Sequence, residues 1–361
     1  MLIHRQDARA VLGLHNLHYI QQHDMLRELV IHQCDEKPVE ERMRIYISIK
    51  GNGFPSGGLN KDFNHFKRRF CLLSQVCYPS LLLLFDEDFS SNWHGVRFPK
   101  VEVLVLNFET RTYNLPPFIE QMSQLKTLVV TNNGFFPANL NNFQLCSLLN
   151  LKRINLERIS VSSIFTANLQ QPNLRKISLN MCEIGEAFEN SAAKMPYMWP
   201  KLIEMNIEYC SDLTKVPAEI CDLVDLKRLS ICYCQELVTL PEELGRLTNL
   251  EVLRLHSCTN LVELPKSIVK LIKLKFLDVY DCVAMDNLPL EMDKLCSLQT
   301  LCMGSSLGIK LPDSPQKLLK LEDVVCDEET AHLWEYVKEH LKNLRITVME
   351  EHVNLNLLHR S

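Results

Sequence analysis

Apolar side chains return along this chain at a fixed beat. Leucines stand at 202, 226, 250, 274 and 298, an interval of 24 residues, and each is followed by an apolar residue three and five positions later. A constant period of this length is the signature of a repeat architecture. The unit opening at Leu250 carries Leu253, Leu255, Cys258, Leu261, Leu264, Pro265, Ile268 and Leu271, and the unit before it carries Leu226, Leu229, Ile231, Cys234, Leu237, Leu240, Pro241, Leu244 and Leu247. Leu253 and Leu255 alternate at period two, which puts both on one face of a short strand. Leu264, Ile268 and Leu271 follow at helix-like spacing on a return path. One such turn of chain cannot bury both apolar faces by itself. Stacked turns can, with a continuous core and a parallel sheet along one side.

The unit reads L-x-x-L-x-L-x-x-C-x-x-L-x-x-L-P-x-x-I-x-x-L, a leucine-rich repeat. The implied fold is an α/β solenoid with a curved parallel sheet on its concave face and short helices, 3-10 turns and loops on its convex face. Degenerate copies run toward the N-terminus through Leu174, Ile177, Leu179 and Cys182, then Leu151, Ile154 and Leu156, then Leu125, Leu128 and Val130, then Val101, Leu104 and Leu106. Ile45, Ile47 and Ile49 alternate earlier still, as does the stretch around Leu82 and Leu84. The repeat domain is therefore expected over residues 44–325, with its regular units at 202–320. Beyond it, Asp327 is placed to cap a helix carrying Leu333, Trp334, Val337 and Leu341, followed by the alternating Leu344, Ile346 and Val348. Residues 326–361 thus read as a terminal helix–strand cap.

Composition narrows the function classes. The 361 residues are 46% hydrophobic, and a net charge of −5 gives no reason to expect nucleic acid. Lys67, Arg68 and Arg69 form a basic run that reads as a solvated loop. The opening residues, with His4, Arg5, Asp7 and Arg9, have no apolar signal-peptide core, and Leu81 to Phe85 is far too short to span a membrane. Of the 14 cysteines, Cys210, Cys234, Cys258 and Cys282 recur at the repeat period, where a buried inert thiol explains them better than a disulfide or metal ladder. Neither a C-x-x-C pair nor an Asn-x-Ser/Thr acceptor occurs, which favours the cytoplasm. No G-x-x-x-x-G-K-[ST] phosphate loop and no catalytic constellation is present, so an enzyme is not expected.

Residues 1–43 differ in kind. Asp24 precedes Met25, Leu26, Leu29 and Val30, an apolar set at helical spacing, and taken alone Gln22-His23-Asp24 is an ordinary helix cap. Joined to the downstream Leu-x-x-Leu-Pro array, the block resembles the plant intracellular immune receptors that couple a nucleotide-binding switch to leucine-rich repeats. More narrowly it resembles their helper class, which carries Gln-His-Asp where sensor receptors carry Met-His-Asp. Val101 to Asn107, Val130 to Phe136, Asn141 to Gln144, Leu250 to Leu255, Cys326 to Ala331, Trp334-Glu335 and Asn354 to Leu357 extend the likeness over nearly the whole chain, leaning toward the N-requirement subclass. The resemblance implies that residues 1–43 end a winged-helix subdomain in which Gln22, His23 and Asp24 sense nucleotide, His23 facing an ADP phosphate. ADP or ATP is expected only together with an upstream nucleotide-binding region; these residues alone form no such site. It further implies a lipase-like immune heterodimer as protein partner, with intact helper receptors as a further one, and no membrane insertion by this segment.

Side chains at the third, fifth and seventh positions of each unit are expected to face outward from the strands. They include Arg228, Arg254, His256, Phe276, Asp278 and Tyr280, and aromatic and Arg residues of this kind are enriched at interface hot spots. His256 on its own is a surface contact rather than a ligand. The expected function is a defence-signalling interaction module, with a decoy of intact helpers or a generic cytosolic scaffold as alternatives.

Overall fold

The computed structural model describes residues 98–141, 145–161, 170–191, 195–304, 311 and 314–349, together with the backbone of two earlier strands. Gln22, His23 and Asp24 lie outside the described residues, as does the stretch around Leu82 and Leu84. The chain divides into two compact units, residues 1–174 and 175–361.

In the first unit the strands are β1 (Arg44–Lys50), β2 (Phe70–Val76), β3 (Val103–Phe108), β4 (Thr112–Asn114), β5 (Thr127–Asn132), β6 (Ala138–Asn141), β7 (Arg153–Glu157) and β8 (Ile159–Ser160). β1, β2, β3, β5 and β7 pair in parallel in that order, Leu104 beside Leu128 and Leu128 beside Ile154. β4, β6 and β8 form a second, smaller parallel set. The first strand begins at Arg44, close to where the alternating isoleucines placed it. β2 was not anticipated, because Phe70–Val76 (FCLLSQV) shows no clean alternation.

The second unit stacks β9 (Lys176–Asn180), β10 (Glu204–Glu208), β11 (Arg228–Cys232), β12 (Val252–Arg254), β13 (Phe276–Asp278), β14 (Thr300–Cys302), β15 (Asp323–Cys326) and β16 (Arg345–Val348), each parallel to the next. Register follows the sequence period, so Leu229 lies beside Leu253 and Leu253 beside Leu277. These leucines, with Leu255 and Val279, have no solvent exposure. Parallel neighbours are about 4.8 Å apart, so every turn buries its leucines against two others.

Return paths are 3-10 helices at Ala218–Asp222, Glu242–Arg246, Lys266–Lys270, Met292–Lys294 and Pro315–Lys317. In the middle of the array they enter from Pro217, Pro241 and Pro265 in extended conformation. Proline has no N–H to leave unsatisfied there. With so few residues available, i→i+3 bonds close the turn, as Leu271 N–H to Ile268 O at 2.9 Å. Ile268, Leu271, Leu244 and Leu247 are fully buried, so the helix-like spacing correctly marked the apolar side of the return path. Gly245 permits one close approach, since a Cβ there would lie 2.3 Å from the Ser267 carbonyl oxygen. Two short α-helices, α1 (Gly185–Ser191) and α2 (Met195–Met198), take the place of the 3-10 turn after β9.

The periodic cysteines are buried free thiols. Cys258 Sγ donates to Ile231 O at 3.3 Å and Cys282 Sγ to Leu255 O at 3.0 Å, so each ties its own turn to a carbonyl of the turn before. Burial pushes the Cys282 thiol up to about 12 and the Cys258 thiol higher still. The residue before each of these cysteines has left-handed backbone: Tyr209, Tyr233, Ser257 and Asp281 have φ of 56°, 57°, 55° and 61°, continuing Met181 at 53°.

The array ends on α3 (Glu328–Lys338), packed against β15 and β16. Asp327 caps it as expected, accepting from Thr330 N–H at 2.8 Å and Thr330 Oγ1–H at 2.7 Å. Trp334 and Val337 are buried, while Val348, at 45% exposure, turns out of the core on the last strand. Among the described residues no helix is long and apolar enough to cross a membrane.

Candidate functional site

Five of the six outward residues singled out on the strand face converge on β12, β13 and the turns after them. Asp278 is at the centre. Its Oδ2 lies 3.6 Å from Arg254 Nε, its Oδ1 lies 3.5 Å from His256 Nδ1, and the same Oδ1 accepts from Tyr280 N–H at 3.1 Å. The Arg254 guanidinium stands 5.8 Å from the Phe276 ring centroid, and the His256 ring stacks on Tyr280 at 5.8 Å with 13° between planes. Arg254 and Phe276 are half-buried, as are His256 and Tyr280. Tyr280 can lie flat because its neighbour in the next turn is Gly304, whose Cβ would meet Tyr280 Cε2 at 2.7 Å.

The exposure expected of Asp278 is not found. Its side chain faces outward with the strand, yet it is wholly buried. A carboxylate costs several kcal/mol to bury without a cation; here the Arg254 guanidinium flanks one oxygen and the His256 ring the other. Asp278 therefore holds the surrounding side chains from beneath. Ser230 and Cys232, read as outward on β11, are likewise buried. Burial first, relieved by the Ser230 hydroxyl at 3.3 Å, pushes Cys232 up to about 12.

Arg228 stands apart from this cluster. Its side chain is 62% exposed, with Nη1 3.9 Å from Glu204 Oε2. Burial acts to raise the Glu204 carboxyl, but the Lys176 ammonium at 2.7 Å, with Asn206 and Arg228, outweighs it and holds Glu204 below the usual carboxylate range.

Two aromatic residues of this face went unrecognised in the sequence. Tyr209 and Tyr233 stack at 4.4 Å with 1° between planes, and Tyr233 meets His256 edge-on at 5.4 Å. The rings of Tyr209, Tyr233, His256 and Tyr280 thus form one ledge along the C-terminal ends of β10 to β13. The missed signal was a Tyr directly before the periodic cysteine in consecutive units. Among the described residues no group of His, Cys, Asp and Glu is arranged to hold a metal ion.

A model of a leucine-rich repeat region matches residues 187–345. A probable disease resistance protein of Arabidopsis thaliana is 43% identical over 349 residues, covering 96% of this chain and 81% of the relative. This chain belongs to the plant disease resistance proteins. A second Arabidopsis thaliana member, also described as a probable disease resistance protein, is 50% identical over 96% of this chain and 41% of its own length. Disease resistance protein ADR1 of the same plant is 37% identical over 92% of this chain and 41% of its own. The chain thus spans about two fifths of the length of several disease resistance proteins it matches. The part of the family represented is its leucine-rich repeat region, a module that is typically non-catalytic.

Proposed function

We propose that this chain is the docking region of a helper-type disease resistance receptor, whose strand face binds a lipase-like immune-signalling heterodimer. The observation that carries the reading is the Arg254–Phe276–His256–Tyr280 cluster fixed from below by Asp278. Hot spots are aromatic and Arg side chains already held in their bound geometry, because little conformational freedom is then lost on binding. The likeness to ADR1 over 92% of the chain supports a receptor role. In the same reading residues 1–43 end a nucleotide-switch subdomain with Gln22, His23 and Asp24 at its sensing motif, residues 44–325 form the repeat domain, and residues 326–361 close it.

The test is calorimetric titration of the purified chain with the heterodimer loaded with its nucleotide-derived signal. A partner burying the usual total of about 1,200 to 2,000 Å² should bind measurably, and Arg254→Ala or Phe276→Ala should each weaken it by about 2 kcal/mol or more. Absence of binding by the wild-type chain would remove the assignment.

A further inference from the structure

The strand face of the second unit is electrically polarised from one end of its strands to the other. Entering β9 to β14, residues 173–176, 201–204, 225–228, 249–252, 273–276 and 297–300 hold Arg175, Lys176, Lys201, Lys227, Arg228, Lys273 and Lys275 against Glu204, Asp225 and Glu251, seven cations to three anions, or +4. Leaving β9 to β13, residues 180–185, 208–213, 232–237, 256–261 and 280–285 hold Glu183, Glu208, Asp212, Glu236 and Asp281 and no Lys or Arg, or −5. The aromatic ledge lies along this second, anionic edge.

The ledge is rigid. Tyr209 and Tyr233 stack face to face, their planes 1° apart. Both side chains leave left-handed backbone, which a tyrosine does not adopt without support from its surroundings. Tyr209 ends the ledge with 38% of its surface in solvent. Glu208 closes β10 immediately before Tyr209, and after burial its charge helps raise the Tyr209 and Tyr233 hydroxyls. An aromatic face is negative at its centre and attracts Arg and Lys cations. At the Tyr209–Tyr233 end of the ledge, away from Arg254, rings beside the Glu208 carboxylate favour a cation over a neutral or acidic group.

We infer that the ledge formed by Tyr209, Tyr233, His256 and Tyr280 is the seat for an arginine- or lysine-bearing segment of a protein partner, laid across the C-terminal ends of β10 to β13. The inference rests on the strand face being a docking surface, and it adds which edge the basic part of the partner occupies. Arg228 and its cationic neighbours, at the opposite edge, repel such a segment and so fix its placement. A guanidinium suits the seat best, being planar, weakly hydrated and able to stack on one ring while donating to Glu208.

The experiment titrates the full chain with three labelled synthetic peptides of equal length, carrying arginine, glutamate or glutamine at alternate positions, and reads fluorescence anisotropy. The arginine peptide should bind at least about tenfold more tightly than either other, since one cation–π contact with its charge-assisted bond is worth about 1 to 2 kcal/mol and 1.4 kcal/mol is tenfold. Tyr209→Asn and Glu208→Gln should each weaken it about fivefold to tenfold, and Glu208→Gln should also flatten its salt dependence. Asn is chosen because it tolerates the left-handed φ of 56° at position 209, and thermal melts confirm that both variants fold. Removing two exposed carboxylates of the return path, Glu242→Gln with Glu243→Gln, should leave affinity unchanged. Equal binding of the three peptides, no binding of the arginine peptide, or equal losses from the return-path variant would each overturn the inference. A basic peptide that binds this ledge while the heterodimer does not would sink the partner assignment and leave the ledge standing. A bound heterodimer with an indifferent ledge would do the reverse.

Discussion

Asp278 offers the sharpest test of how the strand face is built. Replacing it with Ala removes a carboxylate that has no solvent exposure and lies 3.6 and 3.5 Å from the two basic side chains beside it. Breaking a fully buried ion pair costs about 3 to 5 kcal/mol, because the remaining charge loses its compensation. Two facts reduce that figure here. The Arg254 separation exceeds hydrogen-bond length and the His256 bond is long at 3.5 Å, and the Arg254 and His256 side chains keep 19% and 18% of their surface in water. A share of about 2 kcal/mol remains after screening. The Tyr280 N–H, which donates to Asp278 at 3.1 Å, loses its acceptor as well, adding about 1 kcal/mol. Asp278→Ala should therefore destabilise by about 3 kcal/mol in urea unfolding followed by circular dichroism. Asp278→Asn keeps an oxygen for Tyr280 and should lose about 2 kcal/mol. A double-mutant cycle with Arg254→Met should return a coupling of about 1 to 2 kcal/mol. An Asn variant as stable as the wild type, or zero coupling, would refute the view that this carboxylate organises the cluster.

Further expectations concern the core, the cap and pH. Leu253→Ala or Leu277→Ala should cost about 2 to 5 kcal/mol in the same unfolding assay, since each fills space shared by neighbouring turns. Asp327→Ala should cost about 1 to 2 kcal/mol through loss of the bonds to Thr330, read as a lowered melting temperature. Alkali should destabilise the fold: the Cys232 and Cys282 thiols are raised to about 12, so their contribution is complete below the unfolded thiol range near pH 8.5 and is lost as pH climbs toward 12. Each such thiol should lower stability by about 1.4 kcal/mol per pH unit within that window, measured as the urea midpoint against pH, and Cys282→Ala should shallow the slope.

The regular turns were legible because one physical requirement, burial of Leu253 and its equivalents between neighbours, repeats with the chain. The return path was legible too, from Pro265, Ile268 and Leu271, and the last helix from Asp327 and Trp334. Exposure was less so. Alternation gives the direction of a side chain, and it placed Asp278 and Cys232 outward correctly, but direction says nothing about what neighbouring strands bring over a short residue. Arg254 reaches across from the adjacent strand, and Tyr280 lies above the following Gly304, so the residues beneath are sealed. Tyr209 and Tyr233 escaped notice for a different reason. They follow the strand at left-handed backbone, where the period-two rule no longer says which way a side chain points.

That left-handed column makes the array directional. At Tyr209, Tyr233, Ser257 and Asp281 the amide of the strained residue donates forward, to Cys232, His256, Tyr280 and Gly304 of the following turn, at 3.0, 2.8, 2.9 and 3.1 Å. Non-glycine residues hold this conformation at about 1 to 2 kcal/mol each. At these four positions the bond that offsets the strain therefore comes from the C-terminal neighbour. A turn whose successor is lost keeps its distortion without the bond that offsets it, so fraying from the C-terminal side hands the defect back one turn at a time. Removing a turn from the N-terminal side leaves these four amide bonds in place, and costs instead the bonds that run backward, such as Cys258 Sγ to Ile231 O and Glu251 N–H to Lys227 O. The strained column is thus exposed from one end only, and the closing helix with its Asp327 cap stands at that end as a doorstop.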